Sequence, residues 1–350
     1  MKEKLLTDSR VEETASISSP NEIIEEIPQS ELSAETVVKG REAVKNIIHG
    51  RDNRLLVVVG PCSIHDVKAA QEYAQWIKDQ RKKYGDNLEI VMRTYLEKPR
   101  TTVGWKGIIN DPHLDDSFDM ELGLRKARKL LVDITELGVP VSTELLDLRT
   151  PQYIADLISW GAIGARTVES QLHRELASGV SFPVGFKNGT AGGIQIAIDA
   201  MQSAATKHSF LGIDMEGRTA TIKTKGNTDT HIILRGSKHG PNYEANSVKE
   251  TSELLEKAGQ NSAIMIDCSH ANSRKDFTRQ SEVANDVAKQ VTKGNKDICG
   301  VMVESNLVEG AQKLKPGKEL VYGQSITDAC VGLDATARIL DDLAAAASKR

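Results

Sequence analysis

Short apolar segments alternate with longer amphipathic segments along the chain from residue 55 onward. The first, Leu55–Val59, has no polar alternation, which is typical of a strand buried on both faces of a parallel sheet. The pattern predicts eight strands: Leu55–Val59, Glu89–Tyr95, Val139–Leu145, Ala162–Arg166, Pro183–Lys187, His231–Arg235, Ala263–Asp267 and Cys299–Glu304. Helical patterns follow them at 67–84, 118–137, 150–161, 170–177, 193–205, 247–258, 276–292 and 334–347. This alternation predicts an α/β fold, a (β/α)8 TIM barrel.

A doubly wound open sheet is the alternative, but no G-x-G-x-x-G sequence follows a predicted strand, so the barrel is favoured.

Two segments lie outside the alternation of strands and helices. Residues 1–50 form an N-terminal arm and a helical extension, with Ser19 capping one helix and Ser33 capping the next. Residues 208–226 read as an inserted β-hairpin. We therefore expect a regulatory or assembly region at 1–50 and a catalytic barrel at 51–350.

Composition narrows the class of protein. The 350 residues are 39% hydrophobic and 27% charged with a net charge of −4, which indicates a globular protein and argues against nucleic-acid or membrane-surface binding. The four cysteines include no C-x-x-C pair, and no apolar run approaches the roughly 18 residues of a membrane span. We expect a protein of the reducing cytoplasm.

Polar side chains stand at or just after the end of each predicted strand. In a barrel of this class, chemistry collects at the carboxyl ends of the strands. The residues found there are Cys62, Arg93, Glu144, Arg166, Lys187, Arg235, His270 and Glu304. A single charged strand end is usually a solvated tip, but eight on one rim predict an enzyme active site.

Cations form the first group at this rim. Arg93, Arg166, Lys187 and Arg235 are joined by Lys98 and Arg100 from the loop at 97–102. Six positive charges would repel one another unless an anion lay among them. Arginine forks fit phosphate and carboxylate groups, so two phosphorylated small molecules, or one that also bears a carboxylate, suit the site.

A thiol, an imidazole and two carboxylates form the second group: Cys62, His270, Glu304 and Asp328. These are ligands for one divalent metal ion, and the sulfur and nitrogen donors favour Mn, Fe, Co or Zn. Two structural alternatives remain at this point. Cys62 can be a small packing residue, and His270 can cap a helix.

Several motifs resemble those of 3-deoxy-D-arabino-heptulosonate 7-phosphate (DAHP) synthases, specifically the feedback-regulated class Iα enzymes. They are GPCSIHD at 60–66, RTYLEKPRTTVGWKG at 93–107, PVGFKNGT at 183–190, ILRG at 233–236, CSHANS at 268–273, VESNLVEG at 303–310 and YGQSITDAC at 322–330. The resemblance implies a barrel with an extension and a hairpin, assembled as a homotetramer, a dimer of dimers. It also implies condensation of phosphoenolpyruvate with erythrose 4-phosphate, the first step of the shikimate pathway.

The resemblance also implies a role for each site residue. Cys62, His270, Glu304 and Asp328 would bind the metal. Phosphoenolpyruvate would contact Arg93, Arg166, Lys187 and Arg235, and erythrose 4-phosphate would contact Lys98, Pro99, Arg100 and Thr101. Lys98 is our candidate proton donor to the nascent alkoxide, and Glu144 our candidate for orienting the attacking water.

Feedback inhibition by an aromatic amino acid is implied as well, at a site shared between subunits. The matching positions are Pro151, Gln152, Leu176, Val180, Ser181, Phe210, Gly212 and Ile222, with Asp8 and Val11 from the arm of a neighbouring subunit. Gly212 leaves room for a phenolic hydroxyl, so tyrosine is favoured over phenylalanine. The alternatives are a hairpin that serves only assembly, a synthase for a five-carbon sugar phosphate, and a catalytically inactive amino-acid sensor.

Overall fold

The structure is a computed structural model that describes residues 6–315 and 317–350. The first five residues of the predicted arm lie outside this range. Eight parallel strands close into a barrel in the order β1-β10-β9-β8-β5-β4-β3-β2, which confirms the predicted TIM barrel. The barrel strands are β1 Leu55–Gly60, β2 Leu88–Arg93, β3 Val141–Glu144, β4 Ile158–Ile163, β5 Val184–Lys187, β8 Thr230–Leu234, β9 Ile264–Asp267 and β10 Ile298–Glu304.

Helices surround this barrel and precede it. Every residue of the barrel strands is buried, because their outward side chains pack against the helices and their inward side chains fill the barrel. The helices are α1 Pro20–Glu26, α2 Glu31–Ile48, α3 Val67–Tyr84, α4 Met120–Glu136, α5 Pro151–Ile154, α6 Gln171–Ala177, α7 Gln195–Ala204, α8 Ala245–Lys257, α9 Gln280–Thr292 and α10 Leu333–Ala347. None of the helices in the described residues is long and apolar enough to cross a membrane.

The prediction for the fourth strand was wrong in its position. A helix was expected over 150–161 and a strand over Ala162–Arg166, whereas α5 ends at Ile154 and β4 already begins at Ile158. A strand that is buried on both faces shows no alternation, so ISWGAI reads equally well as the end of a buried helix. As a consequence, Arg166 lies in the turn beyond β4 and not at the end of the strand.

Helix α2 covers the amino ends of the strands. Its residues Val44, Ile47 and Ile48 form one apolar cluster with side chains of the barrel interior, including Leu56 and Trp160. Arg41 donates hydrogen bonds to the carbonyl oxygens of Ala155 and Ile158, just before and at the start of β4. The helix therefore closes the barrel at the end opposite to the predicted site. It begins at Glu31 with Ser30 as its cap, so the prediction of Ser33 as the cap was wrong.

A buried aromatic pair fills the barrel interior. Trp160 Nε1 donates to His231 Nε2 at 2.9 Å, and burial lowers the pKa of His231 to about 4, so this histidine is neutral. Gly185 makes room for the pair, because a Cβ there would lie 2.7 Å from Trp160 and 2.9 Å from His231. The barrel interior is therefore a packed core, and an active site can form only at the ends of the strands.

The predicted hairpin at 208–226 is confirmed as an antiparallel pair, β6 Ser209–Ile213 and β7 Thr219–Lys223. The backbone N–H of Asn21 in α1 donates to Met215 O in the hairpin turn, so the extension and the hairpin contact each other. A second small pair, β11 Val308–Ala311 and β12 Gln324–Ser325, lies between β10 and α10 and was not predicted. It positions the segment that carries Asp328.

Candidate active site

Three of the four predicted metal ligands lie together at the carboxyl end of the barrel. Glu304 is the last residue of β10, Cys62 follows β1, and Asp328 follows β12. Their ligand atoms all lie within 4.8 Å of one another. Strands β1 and β10 are neighbours in the barrel, which explains how residues so distant in sequence meet.

Lys98 lies between two of these ligands. Its Nζ donates to Cys62 Sγ at 2.7 Å and to Asp328 Oδ2 at 3.0 Å. Burial raises the pKa of the Cys62 thiol to about 12, with a further contribution from the Glu304 carboxylate. The charge of Lys98 holds the pKa of Asp328 well below its usual value. Burial opposes the charge on Lys98, but Cys62, Glu304 and Asp328 more than offset it, so the lysine pKa is raised and the ammonium is kept.

His270, the fourth predicted ligand, lies on the turn after β9 and outside the cluster of three. Its Nδ1 is 2.9 Å from Asp267 Oδ2, but the contact departs from hydrogen-bond geometry and Nδ1 has no other partner among the described residues. His270 has a positive φ of 55°, an uncommon backbone conformation for a side chain of this size. The turn after β9 brings His270 to the carboxyl end of the barrel, the same end at which Cys62, Glu304 and Asp328 lie.

The donor set fits a divalent metal ion. A thiol and two carboxylates converge, and the imidazole of His270 lies close enough to influence both carboxylates. Sulfur, nitrogen and oxygen donors together suit a transition metal better than Mg²⁺. Three of the four predicted ligands therefore form a possible metal site, and His270 as the fourth ligand stays a prediction.

Arg93 is held rigidly at the centre of the site. Its guanidinium is buried, donates to Glu304 Oε1 at 3.0 Å and to the carbonyl oxygens of Pro61 and Cys62, and stacks 3.4 Å from the centre of the Tyr95 ring. Such contacts fix the fork before any ligand arrives, which suits recognition of a planar carboxylate or a phosphate.

The other predicted substrate cations, Arg166, Lys187 and Arg235, lie at or just after the carboxyl ends of the neighbouring strands β4, β5 and β8. Lys187 Nζ donates to Asp267 Oδ2 at 2.9 Å, and the backbone N–H of Arg235 is held by Asn188 Oδ1. Burial lowers the pKa of Arg235, and the positive charge of Arg166 lowers it further. The two arginine side chains therefore repel each other. Like charges brought this close indicate a site for an anion.

The loop at 97–102 approaches the site from β2. The backbone N–H of Lys98 donates to Lys106 O, which folds the loop back on itself. Gly107 permits this, since its φ is 115° and a Cβ would lie 2.2 Å from Leu96 O. Arg166 donates to Pro99 O, while Arg100 and Thr101 are exposed at the loop tip.

Two acidic residues line a small separate pocket, which has a volume of only about 10 Å³. Glu144, at the end of β3, and Glu97 are both buried, and Pro151 of α5 closes the far wall. Burial, with the nearby Asp147 carboxylate, raises the pKa of Glu97 to about 8. The lining of this pocket therefore includes a residue of the loop at 97–102 and one of the predicted inhibitor positions.

Several buried residues that support the site were missed from the sequence. Gln280 at the start of α9 donates to Glu304 O and accepts from Glu304 N, and Ser269 Oγ donates to Glu304 Oε2. Asn272 Nδ2 donates to the carbonyl oxygens of Leu234 and Asp267. Their partners are distant in sequence, so only the position of Ser269 and Asn272 within CSHANS gave any signal.

The predicted inhibitor positions lie on α5, at the end of α6 and on the hairpin. Phe210 is directly opposite Ile222, and a Cβ at Gly212 would lie 2.7 Å from Ile222 Cγ1. Ser178 and Thr224 share a hydrogen bond of 2.7 Å that joins the end of α6 to the hairpin. Asp8 and Val11 are exposed in the arm.

Comparison with known proteins agrees with the site. A model of the DAHP synthetase I family matches residues 26–341. The phenylalanine-sensitive phospho-2-dehydro-3-deoxyheptonate aldolase of Escherichia coli (strain K12) is 56% identical, covering 98% of both chains. The tyrosine-sensitive enzyme of the same strain is 48% identical, covering 98% of this chain and 96% of that protein. A solved structure of phospho-2-dehydro-3-deoxyheptonate aldolase from Francisella tularensis SCHU S4 has a TM-score of 0.96 at 51% identity, covering 97% of this chain and 99% of that one. The chain belongs to the DAHP synthetase I family.

Proposed function

We propose that the protein condenses phosphoenolpyruvate with erythrose 4-phosphate and water to give DAHP and inorganic phosphate, the first step of the shikimate pathway. The observation that carries this proposal is the convergence of a thiol, two carboxylates and Lys98 beside the buried Arg93 at the carboxyl end of the barrel. The relatives' names point to the same product.

One divalent ion of Mn, Fe, Co or Zn is bound by Cys62, His270, Glu304 and Asp328 in this proposal. When bound, it supplies a Lewis acid that polarises the aldehyde of erythrose 4-phosphate. We expect Cys62→Ala to lose metal and activity together. Elemental analysis of the purified variant checks this, and an active, metal-loaded variant contradicts the ligand set.

Arginine and lysine side chains bind the two substrates. Arg93, Arg166, Lys187 and Arg235 hold the carboxylate and phosphate of phosphoenolpyruvate, and Lys98, Pro99, Arg100 and Thr101 hold erythrose 4-phosphate. The rigid hydrogen bonds of Arg93 orient the first substrate before the second arrives. The exposed loop tip admits the sugar phosphate last.

Lys98 acts as the proton donor. The C3 carbon of phosphoenolpyruvate bonds to the aldehyde carbon, and the aldehyde oxygen takes a proton from the Lys98 ammonium, whose raised pKa keeps it protonated. Water then adds at C2, oriented by Glu144, and the proton that it gives up restores the Lys98 ammonium. The C2–OPO3 bond of the resulting hemiketal breaks, and the phosphate leaves with the proton of the C2 hydroxyl. Loss of phosphate leaves the keto group of the product.

Regulation and assembly follow from the surface elements. An aromatic amino acid binds at Pro151, Gln152, Leu176, Val180, Ser181 and the hairpin, with Asp8 and Val11 supplied by a neighbouring subunit of a homotetramer. Tyrosine is favoured over phenylalanine because Gly212 adds no side chain to the pocket wall. The free state of all four cysteines fits a protein of the cytoplasm.

The test mixes chelator-stripped protein with phosphoenolpyruvate and erythrose 4-phosphate and follows the ultraviolet absorbance of the enol phosphate before and after manganese is added. We expect consumption only with metal and the four-carbon sugar. Equal or faster turnover with a five-carbon sugar phosphate would favour the related synthase. No consumption with any sugar or metal would favour an inactive sensor.

A further inference from the structure

Asp267 is a fully buried carboxylate on which two parts of the site meet. Its Oδ2 lies 2.9 Å from Lys187 Nζ and 2.9 Å from His270 Nδ1. Its Oδ1 accepts a hydrogen bond from Ser269 N at 3.0 Å. A single oxygen thus contacts one predicted substrate cation and one predicted metal ligand.

The backbone holds this carboxylate in place. Asp267 is the last residue of β9, paired with Met302 of β10 on one side, and Asn272 Nδ2 donates to its carbonyl oxygen. The backbone N–H of Asn242 donates to Asn272 Oδ1, which fixes the amide in turn. Because the Asp267 carboxylate is buried and its backbone is held, its charge must be compensated by groups inside the protein, which here are Lys187 and His270.

The contact with His270 has a chemical consequence. Nδ1 is buried and has no other partner among the described residues, so Asp267 is the acceptor at hand for an Nδ1–H. A proton on Nδ1 leaves the lone pair on Nε2, the nitrogen through which the ring can bind a metal ion. Lys187 reaches the same oxygen from β5, across β8.

We propose that Asp267 is a positioning residue that orients His270 towards the metal and Lys187 towards phosphoenolpyruvate, and so couples the binding of the two. The proposal rests on the proposed function, in which these two residues bind those two ligands. When the substrate anion takes up part of the charge of Lys187, Asp267 is left to hold His270 more strongly. Phosphoenolpyruvate therefore tightens metal binding, and by reciprocity the metal tightens phosphoenolpyruvate binding.

The experiment measures the affinity of the chelator-stripped protein for Mn²⁺ by equilibrium dialysis, with and without phosphoenolpyruvate, and the KM for phosphoenolpyruvate. Asp267→Asn keeps the shape and removes the charge. We expect Mn²⁺ affinity to fall by roughly 10–100-fold, the KM to rise, and the tightening by phosphoenolpyruvate to shrink. With Co²⁺ in place of Mn²⁺, the visible spectrum should change as His270 loses its orientation.

Asp229→Asn is the matched control. Asp229 also lies against a histidine, 2.8 Å from His49 Nε2, but just before β8 at the opposite end of the barrel. We expect this variant to keep wild-type Mn²⁺ affinity and KM. Should Asp267→Asn fail to fold by circular dichroism, Asp267→Glu keeps the charge but shifts the carboxylate, and the same measurements apply to it.

The outcomes separate this inference from the proposed function. If the wild-type protein binds Mn²⁺ and the Asp267 variant binds it equally well, with the same response to phosphoenolpyruvate, the inference is overturned and the function stands. If the wild-type protein binds no Mn²⁺ and has no activity, both are overturned. Equal losses in the Asp267 and Asp229 variants would also overturn it, since the effect would then be a general one.

Discussion

Lys98 connects the predicted metal ligands to the predicted substrate loop. Its ammonium contacts Cys62 and Asp328, and its backbone belongs to the loop that carries Arg100 and Thr101. The neighbouring anions raise its pKa even though burial opposes the charge, so the group stays protonated at neutral pH. A buried, charged donor beside the reacting aldehyde is what proton transfer to an alkoxide requires.

Lys98→Met should lower turnover by roughly a hundredfold or more, because the variant keeps much of the side-chain volume but has no proton to donate. Mn²⁺ affinity should not fall, since the lysine competes for Cys62 and Asp328 and does not ligate. Steady-state kinetics and equilibrium dialysis check the two parts. Lys106→Met is the control, because Lys106 is an exposed lysine in the segment that follows the loop. Near-normal turnover in Lys98→Met would remove the residue from this role.

The raised pKa of the buried Glu97 carboxyl leads us to expect that the free energy of unfolding depends on pH. Its pKa is raised from 4.5 to about 8 by burial, so between these values the unfolded chain has released a proton that the folded chain retains. The contribution of Glu97 to the free energy of unfolding is fully present below pH 4.5. It falls by about 1.4 kcal/mol for each unit as pH rises from 4.5 to about 8.

Glu97→Gln removes this titration. We expect the variant to gain stability relative to wild type as pH rises from 5 to 8, and to show no such gain below pH 4.5. Urea denaturation at several pH values measures the difference. Glu136→Gln replaces an exposed carboxyl at the end of α4 and should show a flat difference. A flat difference for Glu97→Gln as well would mean that Glu97 is ionised in the folded state.

Residues that act through their position at a strand end were predictable, and those that act through a contact were not. Cys62, Arg93, Lys187 and Glu304 were found because the barrel rule places the ends of all strands on one rim. Gln280 clamps the backbone of Glu304 from a helix start, and Asp267 was noted only as the end of a strand. Such pairings depend on side-chain geometry, which spacing does not encode.

At the scale of elements, the sequence pattern predicted the capping residues of two helices correctly, but it misplaced the boundary between a buried helix and a buried strand. Ser19 forms the predicted capping box at α1, and α3 begins and ends as expected after Asp66 and before Gly85. The α5–β4 boundary was misplaced because residues 154–163 are mostly apolar, with only Asp156 and Ser159 as polar residues, and show no regular alternation. Strands β11 and β12 were missed because they are only four and two residues long.

The hairpin gives a prediction at this scale. In Gly212→Ser the new Cβ would lie 2.7 Å from Ile222 Cγ1, so Ile222 must shift and the proposed pocket must narrow. We expect inhibition to move from tyrosine towards phenylalanine, with the ratio of their inhibition constants changing by roughly tenfold, equivalent to about 1.4 kcal/mol. Inhibition assays with both amino acids measure this ratio.

Leu211→Ser is the control for this change. Leu211 is 78% exposed and points to the opposite face of the hairpin from Phe210 and Gly212, because side chains alternate along a strand. The ratio of the inhibition constants for tyrosine and phenylalanine in the Leu211→Ser variant should match that of the wild-type protein. An unchanged ranking in Gly212→Ser would count against the tyrosine site, whereas a changed ranking in Leu211→Ser would indicate a loss of hairpin structure.

At the scale of the molecule, the extension joins the barrel to its surface elements. Arg128 in α4 is fully buried, donates to Ile27 O and Tyr153 O, and pairs with Asp156 through two hydrogen bonds. The hydroxyl of Tyr153 donates to Ser18 O. The segment from Ser18 to Ile27 is therefore fixed to α5, which carries Pro151 and Gln152, while Asp8 and Val11 precede this segment and are exposed.

Deletion of residues 1–15 tests this arrangement. The deletion leaves Ser18 and every predicted catalytic residue in place, so basal turnover should be retained. Asp8 and Val11 are lost, and with them the contacts that a neighbouring subunit adds to the inhibitor; the inhibition constant should rise by roughly tenfold or more, about 1.4 kcal/mol of binding. Light scattering on the same samples reports whether the tetramer persists. A tetramer with full turnover and weak inhibition would place the arm in the inhibitor site, because the catalytic barrel and the assembly would both be intact. A wild-type inhibition constant in the shortened protein would place the inhibitor entirely within one subunit, and the hairpin and α5 would then have to form the pocket alone.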